Sequence, residues 1–216
     1  MKNLFRSEEK VTHIGWGELA NPNLRSPLLT VLCIVLGVGA PFSAKAVSDC
    51  DEKIKIFLAT PSEQTLTATS GMDDKKCWEV IGYSNDNLNR LIHSVEQGNR
   101  WAAQYLAEHL KELDGGNLGD SLRALGQFSV HNMEQLLRFK KDGQISEYQF
   151  KNALTNLPLS LSDNLRGQLD ALKTRRKRVM QITRDDLIEE RAVALKVIDD
   201  ALFRLKLIIQ QTSCID

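Results

Sequence analysis

Ile188, Leu195, Ile198, Leu202, Leu205 and Ile209 recur at alternating steps of three and four, interrupted by Arg191. A helix returns residues at that interval to one side, so the last part of the chain is expected to be helical with one buried stripe. The preceding segment repeats the pattern with Leu165, Leu169, Leu172 and Val179, interrupted by Arg176. Extending this earlier stripe by heptads reaches position 190 rather than Ile188, so the seam changes phase near Thr183. Two helices folded back as an antiparallel hairpin are therefore predicted in place of one very long helix. Only 5 prolines and 13 glycines are spread over 216 residues, and Leu, Ala, Lys, Arg, Glu and Gln fill the second half. The expected class is all-α, with helical hairpins packed as a bundle or short solenoid.

The most apolar stretch, Leu28 to Ala40, is thirteen residues long and is followed by Pro41 and then Ala44-Lys45-Ala46. Spanning a bilayer takes about 20 apolar residues, whereas the apolar core of a secretory signal needs about 7–15, with small residues before the scissile bond. Residues 1–46 are accordingly read as a signal peptide cleaved after Ala46, and the protein as exported, to the periplasm or beyond. The alternative is an uncleaved amino-terminal anchor in the inner membrane. The remaining chain has 23 basic and 25 acidic residues, a balance that offers nucleic acid no bulk positive field. It keeps Cys50, Cys77 and Cys214. In an oxidising compartment a Cys50–Cys77 disulfide is expected, closing the least ordered segment, with Cys214 left as a free or intermolecular thiol. The chain-entropy model assigns such a loop about 3–4 kcal/mol.

Three segments follow the leader: a loop-rich stretch 47–84, a helical domain 85–157 and the carboxyl-terminal hairpin 158–216. In the first, the apolar patch Ile54 to Leu58 gives a helix or strand before Pro61 and a Ser/Thr run. Asn85 or Asp86 is expected to cap the next helix, which carries Leu88, Leu91, Ile92 and Val95. A helix from Asn99 to Leu113 ends at Asp114-Gly115-Gly116, and Asp120 is expected to cap another, with Leu122, Leu125 and Phe128. After Pro158, Ser160 or Ser162 is the expected cap of the first hairpin helix.

The run from Gly98 through Ala103, Leu106-Ala107 and a glycine turn to Asp120, Ala124 and Phe128 resembles one unit of a Sel1-type or tetratricopeptide-type helical repeat (98–128). That resemblance implies protein binding on a helical scaffold, although a lone unit suits a hairpin within a bundle better than a stack of repeats. Within 132–155, Asp142-Gly143, Ile145 and Phe150 are similar to the second half of an EF-hand loop, and the string also resembles the SHOCT helical hairpin. Calcium ligand positions would fall on Arg138, Lys140, Asp142 and Gln149, and the two cations repel the ion. A structural hairpin is expected, with Ser146 capping its second helix and Ile145 packing against Phe139 and Phe150.

The sequence holds no glycine-rich phosphate loop, paired Cys-x-x-Cys, His-Glu-x-x-His or nucleophile elbow. No catalytic residue and no cofactor is expected. Each histidine beyond the leader is followed three residues later by a glutamate: His93 with Glu96, His109 with Glu112, His131 with Glu134. On a helix such a pair shares a face and could offer nitrogen and oxygen to a metal, though ordinary exposed pairs have the same spacing. Lys173 to Arg178 is the densest charge run. Arg175, Arg176, Lys177 and Arg178, with Arg191 across the expected turn, are candidates for contact with an anion or partner. Arg176 and Arg191 would share a seam and need a counter-anion from Glu189, Glu190, a phosphate or a lipid headgroup. No aromatic residue interleaves with the run, so single-stranded nucleic acid finds no stacking surface there.

The sequence thus predicts an exported helical protein that binds another macromolecule in the cell envelope without catalysis: a protein partner, no nucleic acid, with peripheral membrane contact as a further option. The alternatives are a metal-dependent or hydrolytic periplasmic protein using the His/Glu pairs, and an inhibitor or immunity protein of an envelope-acting enzyme.

Overall fold

The computed structural model describes residues 42–70 and 74–212. The apolar run Leu28 to Ala40 and Cys214 lie outside them. Among the described residues every regular element is helical. Helices α1 (Phe42–Ala59), α2 (Glu63–Ser70) and α3 (Asp74–Gly82) occupy the segment expected to be loop-rich. That expectation is corrected: the Ser/Thr run 65–70 lies on α2, where Thr67, Thr69 and Ser70 return their hydroxyls to main-chain carbonyls one turn back. The expected Ala46–Val47 cleavage bond falls inside α1.

Helices α4 (Asn85–Glu96) and α5 (Arg100–His109) follow, and a single 3-10 turn, Leu110–Glu112, leads to α6 (Gly115–Lys141). Ser84, one residue before the expected caps, accepts from the Asn87 amide and starts α4. Asn99 caps α5 through two amides and also donates to the Pro61 carbonyl, tying the α4–α5 turn to the α1–α2 turn. Gly115, at φ +49°, turns the chain into α6. Asp120 is no cap: it sits inside α6 and pairs with Arg123. Asn132 breaks helical geometry (φ −128°, ψ 44°), dividing α6 into two runs next to His131.

The hairpin expected around Gly143 is present. Gly143 has φ +73°, and Ser146 and Gln149 form a reciprocal capping box at the start of α7 (Glu147–Thr155). Phe139, Ile145 and Phe150 are all buried. Asn164, rather than either serine, caps α8 (Leu165–Met180) by accepting from the Gly167 amide. The chain then turns through residues 181–184 and a 3-10 turn, Asp185–Leu187, into α9 (Ile188–Thr212), and α8 packs along α9 as the predicted antiparallel hairpin.

The described residues form one compact unit, and the three segments share a core rather than forming separate domains. That core is continuous from Ile54 and Phe57 of α1 through Tyr105, Phe128 and Phe150 to Ile198 and Leu202 of α9. Cys50 of α1 and Cys77 of α3 are joined by a disulfide, as expected, and both are buried. No described helix is long and apolar enough to cross a membrane.

Candidate functional site

Helix α3 places Cys77, Trp78 and Ile81 on its buried side. The disulfide fixes Cys77 against α1, and the next residue, Trp78, lies flat on His109 of α5 with ring centroids 4.5 Å apart and planes 5° from parallel. Tyr105 tilts against both rings and against Phe57, completing an aromatic stack that holds the indole in one orientation. Trp78 is only 4% exposed, yet it forms the floor of a cleft of about 400 Å³. That volume lies in the range of small-ligand sites.

The cleft opens where three elements converge: the end of α3, the 3-10 turn after α5, and the start of α6. From α3 come Lys75, Glu79 and Gly82, and just beyond it Tyr83, which is 86% exposed. From the opposite wall come Glu112, Asp114 and Asn117. Asp114 occupies the N-cap position of α6 but makes no side-chain cap, so its carboxylate is left to the cleft. A methyl group at Gly82 would stand 3.1 Å from Trp78 Nε1, so the bare glycine keeps the indole N–H edge uncovered.

The metal candidates are dispersed. His93 is exposed on α4, and Glu96 accepts from Gln127 of α6. His109 is buried under Trp78, whereas Glu112, its expected partner, is exposed at the cleft wall. His131 is exposed beside the break in α6, and Glu134 pairs with Arg138. Among the described residues no three His, Cys, Asp or Glu side chains come together to hold a metal. Glu96 and His131, from different pairs, do line a second cleft of about 310 Å³, walled otherwise mainly by Val130, Pro158, Leu161 and Ala171.

The basic run divides according to burial. Lys177 and Arg178 are exposed. Arg176 finds its counter-anion in Asp199, with Nε 2.6 Å from the carboxylate, rather than in Glu189 or Glu190. This pairing holds the Arg176 guanidinium above its usual range, through the hydrogen bond and the charge of Asp199. Arg191 is half-buried and its Nε has no hydrogen-bond partner.

Arg175, a candidate for contact with an anion or partner, is instead 1% exposed. Its Nη1 donates to the carbonyls of Ala153, Leu154 and Asn156 at 3.2, 2.8 and 2.9 Å, closing the carboxyl end of α7. The space for it exists because residue 126 is glycine: a Cβ there would meet the Ala153 carbonyl at 2.5 Å and Arg175 Nη2 at 2.8 Å. Burial lowers the Arg175 guanidinium to about 10, so it is still charged at neutral pH. The positive group faces the negative end of the helix dipole, which offsets part of the cost of desolvation. Its role is to join α6, α7 and α8.

Sequence reasoning passed over Trp78, Tyr83, Glu79 and Asp114. The available signal was the string Cys77-Trp78 with Gly82-Tyr83, one aromatic residue within a short helix and one just past its end, beside a cystine. No family model, no curated protein and no solved structure matches this chain.

Proposed function

We propose that this chain is an exported, non-enzymatic protein that binds a protein partner in the cell envelope through the Trp78 cleft. The observation that carries the reading is an aromatic floor and an exposed Tyr83 beside carboxylates that make no ion pair among the described residues. Tyrosine and tryptophan concentrate at the centres of protein interfaces because they bury large area at little entropic cost while retaining a polar tip. The disulfide supports export, since such bonds persist in oxidising compartments.

The test is site-specific photocrosslinking in cells that express the chain from residue 1. A photoreactive amino acid replaces Tyr83 or, as a control, Lys177, which does not line the cleft. A discrete protein adduct at position 83 and none at 177 is expected, from protein recovered outside the cytosol with Cys50 and Cys77 oxidised. Equal labelling at both positions, or full-length reduced protein confined to the cytosol, would overturn the proposal. An adduct with an envelope enzyme that loses activity in a stoichiometric complex would make the chain that enzyme's inhibitor.

A further inference from the structure

We infer that the occupant of the Trp78 cleft is a basic segment of an extended polypeptide, with a Lys or Arg side chain held by Glu79, Glu112 and Asp114 and an adjacent main-chain carbonyl accepting from the Trp78 indole N–H. The inference rests on the protein-binding reading and specifies its chemistry.

Two independent features of the cleft make separate demands on a ligand. The first is charge. Glu79, Glu112 and Asp114 line one hollow with Lys75 as its single basic side chain, and among the described residues none of the three carboxylates has an ion pair or side-chain hydrogen bond. What sets the three apart is their gathering around one hollow against the indole. Like charges gathered around a concave surface repel one another and draw in a cation, and the low-dielectric wall of the indole strengthens that field.

The second feature is the indole N–H. Trp78 is 96% buried by its 4% exposure, and the stack on His109 prevents it from turning away. Among the described residues its Nε1 has no acceptor, and the bare Gly82 leaves that edge open to the cleft. An indole nitrogen can only donate, so its partner must be an acceptor. A free ammonium ion supplies a cation and no acceptor, whereas an acidic or neutral peptide supplies an acceptor and no cation. A basic residue in a polypeptide offers both within one repeat of the chain. Exposed Tyr83 adds a ring face for the cation, which favours Arg over Lys.

The test follows the Trp78 indole resonance in 15N-labelled full-length protein, assigned by its loss in Trp78→Phe. The probes are acetyl-Ala-Arg-Ala-amide, its Glu counterpart, acetyl-Ala-Ala-Ala-amide and calcium chloride. The Arg peptide is expected to shift the resonance saturably. Its affinity should fall at least tenfold in the Glu79→Gln/Glu112→Gln/Asp114→Asn variant, whose altered side chains are exposed and support no fold contact. Gly82→Ala retains every charge, covers the N–H edge and should also weaken binding several-fold, with the circular dichroism spectrum unchanged. If the Glu and alanine peptides bind as well as the Arg peptide, the basic segment is wrong while a protein site stands. If calcium saturates the shift and the peptides do not, the cleft is a cation site and the inference fails. If no probe shifts the resonance, the inference also fails, and the position-83 adduct then decides separately whether the broader protein-binding reading survives.

Discussion

Replacing Arg175 by Met keeps most of the aliphatic volume but removes the group that holds the end of α7. Three carbonyls, those of Ala153, Leu154 and Asn156, lose their shared donor. A charged hydrogen bond contributes about 1.5–3 kcal/mol, and a buried acceptor left unpaired costs about 1–3 kcal/mol. The three bonds share one nitrogen and cannot add fully, and deleting a buried charge returns part of its desolvation cost. The net expectation is a loss of about 3 kcal/mol, or roughly 6–12 °C in Tm for a chain of this size. Urea unfolding followed by circular dichroism measures it, with an unchanged m-value showing that the fold exposes the same surface. The control is Arg176→Met at the adjacent, solvent-exposed position, whose pair with Asp199 should matter far less. Equal losses for the two variants would refute the assignment of Arg175 as the tie between α6, α7 and α8.

Gly126→Ala should cost about 1–3 kcal/mol despite the better helix propensity of alanine, because its methyl meets two backbone carbonyls at 2.5 and 2.9 Å; a thermal melt at or above wild type would contradict the close approach. Joint replacement of Cys50 and Cys77 by serine should lower stability by about 3–4 kcal/mol, read from urea midpoints, and should match the effect of a reductant on the parent. Asp186 is held well below the usual carboxylate range by hydrogen bonds from Arg184 and then Lys141. Because its folded value is the lower one, its contribution is present above about pH 4, the unfolded value, and is lost as pH falls further. The acid limb of a pH–stability curve should therefore flatten in Asp186→Asn, and an unaltered limb would discount the link.

The hairpin of α8 and α9 was legible because its evidence is local. Two leucine-rich stripes and a phase change near Thr183 suffice to place two helices and a reversal. The Gly143 turn and the Ser146 cap were legible for the same reason: each depends on a few consecutive residues. Cap choice failed wherever several suitable residues were adjacent. Ser84 and Asn164 were selected over Asn85 and Ser162 by where the backbone leaves its extended conformation, which neighbouring elements help to set. The segment 47–84 was misread because serines and threonines satisfy turns and helices alike, and packing against α1 and α5 decides between them.

The sequence by itself determined an all-α chain and the reversal between its last two helices, since periodicity and turn chemistry are written along the chain, whereas the packing of α1 on α3 brings Cys50 to Cys77. Tertiary structure alone decided that Arg175 lies inside while Arg176 lies outside, and that Glu79, Glu112 and Asp114 surround one indole. The first depends on a glycine 49 positions earlier leaving room for a guanidinium, the second on three separate elements meeting at one place. Neither relation has a period or a local spacing, because each is fixed by the angles at which helices pack.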